Sequence, residues 1–207
     1  MPVLAGLDLL HVPAGLAALD AVCKEATVRV LLAGDIDPGR FLLIFAGDLA
    51  SVEAALHKAI AASADGPGLA AGDALLESLL LPQAHERLHD ALRGNFADSQ
   101  TVLRDEHALG ALHAHTPLLL LAALDRALKV ADVALLRLRL ASELAGQGHA
   151  VLAGEQSDVE AAILAAQSGL PAGVTLEARL IARPAPEVIA AARQRPVGSR
   201  SLRPLDP

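Results

Sequence analysis

Leu16-Ala17-Ala18-Leu19-Asp20 recurs in this chain as Leu121-Ala122-Ala123-Leu124-Asp125, at an offset of 105 residues. At the same offset Lys24 meets Lys129, Ala26 meets Ala131 and Val28 meets Val133. Further on, Gly47 with Ser51-Val52-Glu53-Ala54-Ala55 returns as Gly154 with Asp158-Val159-Glu160-Ala161-Ala162, at an offset of 107. A single ordered repeat of about 100 residues is a duplicated domain, because solenoid repeats are much shorter. The change of offset puts two extra residues in the second copy, in the turn Ser142 to Gly148 that stands opposite Asp35 to Arg40.

Each copy reads the same way. Val3 to Leu10 is a short apolar strand, and Pro13 opens a helix running to about Ala26, as Pro does in a first turn. The partner helix runs from Pro117 to near Ala131. Val28 to Leu32 is aliphatic and β-branched, hence a strand. Asp35-Ile36-Asp37-Pro38-Gly39 is a turn, since Pro fixes one φ and Gly permits a positive one. Phe41 to Ala46 returns as a strand, and Leu49 to Ala62 is a helix with Val52, Leu56 and Ile60 on one face. Gly66-Pro67-Gly68 breaks it, Leu75 to Leu81 is a strand and Pro82 to Leu92 a last helix. The second copy closes on a strand from Val174 to Ile181 and a helix from Pro184 to about Arg193. The order predicts an α+β fold: two domains, each a four-stranded antiparallel-type sheet with helices on one face, in the ferredoxin-like order. The expected bounds are 1–94 and 108–195, with a polar linker at 95–107 and a loose tail at 196–207.

Composition removes several function classes. The chain has 207 residues, 53% of them hydrophobic but only 1% aromatic, with neither Trp nor Tyr. Such a core is Ala, Leu and Val, and offers no ring on which to stack a nucleobase or a sugar. A net charge of −7 argues against nucleic-acid binding. Arg193, Arg195, Arg200 and Arg203 sit among Pro and Gly near the end and read as a solvated tail. The one cysteine, Cys23, allows no internal disulfide and suggests a reducing, cytoplasmic setting, in a helix where it is expected to pack on the sheet. No secretory signal is visible, and Asp125 and Arg126 end the densest apolar run, Leu118 to Leu124, far short of a membrane span.

The repeated stretch carries a resemblance. Asp20-Ala21-Val22-Cys23-Lys24-Glu25-Ala26-Thr27-Val28 and Asp125-Arg126-Ala127-Leu128-Lys129-Val130-Ala131-Asp132-Val133 resemble the helix end before a strand that marks the bacterial microcompartment (BMC) shell domain. Ile36-Asp37-Pro38-Gly39-Arg40-Phe41-Leu42-Leu43 with Ala46-Gly47-Asp48 resembles the first pore loop of the trimeric, tandem-domain class, nearest its propanediol-utilisation type. Ile181-Ala182-Arg183-Pro184 resembles that type's Pro-Arg-Pro-His region. The resemblance implies a structural shell protein, not an enzyme, working as a homotrimer that forms a pseudohexameric tile of a microcompartment shell. Its partners would be other shell proteins, hexamers and pentamers, and the enclosed enzymes, with no nucleic acid or membrane. It implies that Ile36, Asp37, Pro38 and Gly39 line a central pore with Ser142, Glu143, Leu144, Ala145 and Gly146 of the second turn. Lys24, Lys129 and Arg183 would lie at the edge between tiles. The propanediol-utilisation type that the chain resembles carries an iron–sulfur cluster on a cysteine of the first pore loop. Asp37 stands there in this chain, so no cofactor is expected, and a ring of Asp37 carboxylates would discourage anions and could hold a cation.

Eight histidines, His11, His57, His85, His89, His107, His113, His115 and His149, invite a metal reading. His85-Glu86-Arg87-Leu88-His89 spells the zincin motif, and His113 and His115 share a strand face. A zinc-dependent hydrolase built on His85, Glu86 and His89 is the alternative function. It lacks a recognisable third ligand, and the second copy's matching helix has no histidine. A small-molecule sensor is a third reading, without a ligand loop to support it. Dinucleotide, phosphate-loop and Gly-x-Ser-x-Gly motifs are absent.

Overall fold

A computed structural model describes residues 3–25, 27–64, 74–94, 107–141, 145–171 and 173–193. They fall into two compact units, one within residues 1–94 and the other within 95–201. The first runs β1 (Val3–Leu9), α1 (Val12–Cys23), β2 (Arg29–Ile36), β3 (Arg40–Gly47), α2 (Leu49–Ala64), β4 (Leu75–Leu81) and α3 (Glu86–Leu92). The second repeats it as β5 (His107–Ala114), α4 (Pro117–Val130), β6 (Ala134–Leu140), β7 (Gly148–Glu155), α5 (Gln156–Gln167), β8 (Leu176–Ala182) and α6 (Pro186–Arg193). Each sheet is antiparallel throughout, ordered β2-β3-β1-β4 and β6-β7-β5-β8. His107, read from sequence as the end of the linker, is the first residue of β5, where its partner is Glu155.

The duplication holds at the level of single residues. The β2–β3 register slips between Val30 and Leu32, and the β6–β7 register slips between Leu135 and Arg137. The residue skipped is Leu31 in one copy and Leu136 in the other, both buried. A bulge kept at one position in both copies belongs to the design of the sheet. β2 continues four residues past the expected Leu32, to Ile36. Ala33, Gly34 and Asp35 are poor strand formers, but cross-strand bonding to β3 outweighs their propensity.

In the first unit Val3, Ala5, Leu7 and Leu9 of β1 and Phe41, Leu43 and Phe45 of β3 point to one face. Ala18 and Val22 of α1 and Val52, Ala55 and Ala59 of α2 close over them. Alanines let the helices come near each other and the sheet. Asp48 starts α2, its Oδ1 accepting the Ser51 N–H at 3.0 Å, which holds the carboxyl below its ordinary range. In the second unit the Thr116 hydroxyl caps α4 by accepting the Leu119 N–H at 3.2 Å, and Pro117 follows in the first turn.

The two long helices of each copy share a face as expected, but the short terminal helix of the second unit packs on the other. Ala192 of α6 lies against Leu109, Leu136 and Ala153, and the Arg137 guanidinium donates to the Ala191 carbonyl at 3.3 Å. By contrast Gly110, one residue along β5, faces α5: a Cβ there would come within 2.9 Å of Val159. Cys23, expected to pack on the sheet, is exposed at the end of α1, and its neighbour Val22 is the buried residue.

Candidate functional site

The β2–β3 connection is three residues, Asp37-Pro38-Gly39, closed by the Gly39 N–H donating to the Ile36 carbonyl at 2.9 Å. Gly39 has φ +89°, a conformation that disfavours a side chain, and the Asp37–Pro38 peptide is cis. Asp37, Pro38 and Gly39 are exposed. Ile36, assigned with them from sequence, is buried at 4% exposure, so it anchors the turn and its side chain does not face outward. In the second unit the Ala141 N–H donates to the Gln147 carbonyl at 2.8 Å, in the place of the Ile36–Arg40 pair. Five residues separate Ala141 from Gln147 in the chain, two more than the three between Ile36 and Arg40. Ala145 is exposed with φ +50°, and Gly146 is buried with φ +78°. Ser142, Glu143 and Leu144 lie outside the described residues.

At the helix ends, one arrangement occurs twice. Lys24 Nζ lies 2.5 Å from Asp20 Oδ2, and Lys129 Nζ lies 2.6 Å from Asp125 Oδ2. The spacing i,i+4 with the acid first is the favourable order on a helix, worth about 0.3–0.5 kcal/mol. That is too little to explain its retention in both copies by stability alone. The Lys24 side chain is 71% exposed and that of Lys129 39%, so both ammoniums reach the surface. Glu25 pairs with Lys58 across to α2. Arg183 is exposed just after β8, with φ +47°.

Sequence reasoning missed a buried charge beside the first turn. Asp8 of β1 is fully buried and pairs with Arg40 at 3.3 Å. Burial pushes its carboxyl up to about 6, the Arg40 charge opposes this, and Glu77 across the strand pair adds to it. The register puts His113 at the position of Asp8, and Gln147 at that of Arg40; His113 Nε2 and Gln147 Oε1 are 3.0 Å apart. Each copy thus ties its turn to its central strand with a polar pair, ionic in one and neutral in the other. An Asp in an otherwise apolar strand, Val3-Leu4-Ala5-Gly6-Leu7-Asp8-Leu9, was the available signal.

The zincin reading fails on geometry. His85 is the N-cap of α3, with extended backbone, and its Nδ1 accepts the Arg87 N–H at 3.2 Å. Its ring is therefore not on the helix face that carries His89. Burial, then the Arg93 charge, hold His89 below its ordinary range. His115 lies beyond the end of β5 at Ala114, so strand alternation does not set it on the face of His113. Among the described residues no three His, Cys, Asp or Glu side chains converge on a metal position. An iron–sulfur cluster does not fit either: the first turn offers the Asp37 carboxylate where a thiolate is needed, and Cys23 stands at the end of α1. No described helix is long and apolar enough to cross a membrane.

The BMC domain model matches residues 5–83 and again 108–184. The bacterial microcompartment shell protein PduT of Citrobacter freundii is 34% identical over 180 residues, 86% of this chain and 90% of its own length. The crystal structure of a microcompartment protein from Desulfitobacterium hafniense DCB superposes with a TM-score of 0.73 at 23% identity, over 91% of this chain and 98% of its own. A fused permuted hexameric shell protein of the RMM microcompartment follows at TM-score 0.52 and 19% identity, over 93% of this chain and 83% of its own. With both units matched and a relative alike along most of the chain, the protein belongs to the BMC domain family, as a tandem-domain shell protein of a bacterial microcompartment.

Proposed function

We propose that the chain acts as a homotrimer, its six domains forming a pseudohexagonal tile that joins other shell proteins around enclosed enzymes. The observation that carries this reading is the Asp–Lys pair kept at the same helix end in both copies. A trimer of a two-domain chain has six edges of two alternating kinds, and each must offer its neighbour a matched contact. Lys24, Lys129 and Arg183 supply it. The turns Asp37-Pro38-Gly39 and 142–146 face the centre, where Asp37 makes the passage acidic. The protein's part is to enclose and to select, not to catalyse.

Light scattering on a size-exclusion column tests the assembly. The expected mass is three times the 21.2 kDa chain, with sheets in electron micrographs at higher concentration. A stable monomer overturns the proposal. In a Lys24→Glu, Lys129→Glu variant the trimer mass is retained, while the concentration needed for sheets rises roughly tenfold or more, because each edge loses its lysine contact and gains a second carboxylate beside Asp20 or Asp125. Sheets forming as readily as in the parent would remove both lysines from the edge. For the pore, Asp37→Lys is expected to speed entry of an anionic reporter into reconstituted shells several-fold relative to a neutral one of equal size. An unchanged ratio would take Asp37 out of the passage.

A further inference from the structure

A short helix follows the last strand of each unit, firmly anchored in the first and lightly held in the second. The register sets Leu4 opposite Leu81 in the first sheet and its counterpart Leu109 opposite Ile181 in the second, so β4 and β8 correspond at an offset of 100 residues. The helix starts keep that offset: the His85 carbonyl accepts from the Leu88 and His89 N–H groups, and the Ala185 carbonyl from those of Val188 and Ile189. Leu88, Ala91 and Leu92 of α3 therefore correspond to Val188, Ala191 and Ala192 of α6. The three α3 residues are all buried. In α6 none is: Val188 is 38% exposed, Ala191 is exposed and Ala192 is half-buried.

The ends of α6 are weak as well. His85 caps α3 through Nδ1, whereas Ala185 at the same place has no side-chain acceptor to offer. Arg183, between β8 and α6, has φ +47°, a left-handed conformation that costs any residue with a Cβ. Docking draws on Ala192 against Leu109, Leu136 and Ala153, and on the Arg137 guanidinium, which donates to the Ala191 carbonyl at 3.3 Å. Eight residues are too few for a stable helix in water, so α6 keeps its shape only while docked. Under it lies an apolar row that crosses all four strands, Ala134-Ala153-Leu109-Ile181. Ala153 and Leu109 at its centre are each 1% exposed. Further along the same strands the pairs turn polar, with Arg137 opposite Val151 and Arg139 opposite His149.

We infer that α6 is a detachable strap: it opens from Arg183 by local unfolding, while the sheet and its two long helices stay folded, and uncovers the centre of that apolar row. Opening gives up a small contact at Ala192, returns the Arg137 guanidinium to water and relaxes the Arg183 backbone. Segments with so little buried apolar surface open at a fraction of the free energy of global unfolding. α3 stays down under the same conditions, because two leucines anchor it. The duplication has thus left one short helix fixed and made the other a cover that can show or hide an apolar face. The inference does not depend on the pore or trimer reading.

Native-state hydrogen exchange on the full chain tests this, repeated in urea below the unfolding transition. After correction for intrinsic rates, the amides of Ile189 to Arg193 are expected to exchange roughly 30-fold or more faster than those of His89 to Arg93, while β8 stays protected. Low urea should leave the α6 rates unchanged, because opening exposes little surface. Ala192→Leu, which restores the anchor of α3, is expected to slow α6 exchange roughly tenfold. Ala185→Ser, which supplies a cap, should slow it about fivefold. Thiol labelling gives an independent reading. In a Cys23→Ser background, Ala153→Cys places a thiol beneath the strap, and Ala46→Cys is its counterpart in the first unit. A maleimide is expected to modify the first at least about tenfold faster than the second, and Ala192→Leu to remove most of the difference. Equal protection of α3 and α6, or equal labelling at the two positions, overturns the inference.

Discussion

Gly15→Leu is expected to destabilise the first unit by about 3 kcal/mol or more, and Phe41→Gly in the same protein to restore much of the loss. A Cβ on Gly15 would lie 2.1 Å from Phe41 Cγ and 2.4 Å from its Cβ and Cδ1, so the ring occupies the space that any side chain would need. The second copy makes the same contact in reverse. The offsets carry Gly15 to Leu120 and Phe41 to Gly148, and a Cβ on Gly148 would meet Leu120 Cδ2 at 3.0 Å. In one unit the helix is small and the strand large; in the other the helix is large and the strand small. Phe41→Gly alone leaves a cavity and costs about 3–5 kcal/mol. The double variant rebuilds the arrangement that the second unit already uses, so the two losses should be strongly non-additive. Urea unfolding of the four proteins, followed by hydrogen exchange in β3, measures the coupling. Simple additivity would mean that the helix backs away from the sheet and the contact is not shared.

Much of the architecture was legible because the chain states it twice. Strand and helix order, the duplication and the place of the two-residue insertion all follow from the matched residues at offsets 105 and 107. The turn at Asp37-Pro38-Gly39 was legible too, since its chemistry is local. Less visible were features set by the third dimension. Ile36 belongs to the turn in sequence but is buried beneath it, and Cys23 lies beside the buried Val22 yet faces out. The short helices look alike to periodicity, and only packing on Leu109 and Ala153 reveals that α6 takes the opposite face from α4 and α5. His85 spells a metal motif with its neighbours, but capping removes it from the helix. Hardest to see were pairs made by register: Asp8 with Arg40 are 32 positions apart, and His113 with Gln147 are 34. Nothing in a linear reading brings these residues to one row.

Those rows also predict how each unit responds to acid, in opposite directions. The Asp8 carboxyl rises from 3.8 when unfolded to about 6 when folded, by burial that the Arg40 charge only partly offsets. Its contribution to stability is therefore full below pH 3.8 and is lost as the pH rises through 6. The His149 ring falls from 6.5 to about 4, so its contribution is full above pH 6.5 and is lost as the pH falls through 4. Each shift is worth at most about 3 kcal/mol, less for His149 because its ring keeps some contact with water. Over the same pH window one unit loses what the other gains, so the whole protein should show a shallow profile. Single variants separate the two. Relative to the parent, Asp8→Asn should gain about 2–3 kcal/mol in the first unit between pH 4 and pH 7, since Asn never has to carry the buried charge. His149→Asn should gain in the second unit as the pH falls from 7 to 4, because no imidazole is left to be charged beside Arg137 and Arg139. Hydrogen exchange resolved to β1 and β7 reads each unit in the intact chain. If the variant and parent profiles run parallel across the window, neither group carries the shift; if only the β7 profile moves, Arg40 compensates Asp8 fully and the carboxylate is ionised throughout.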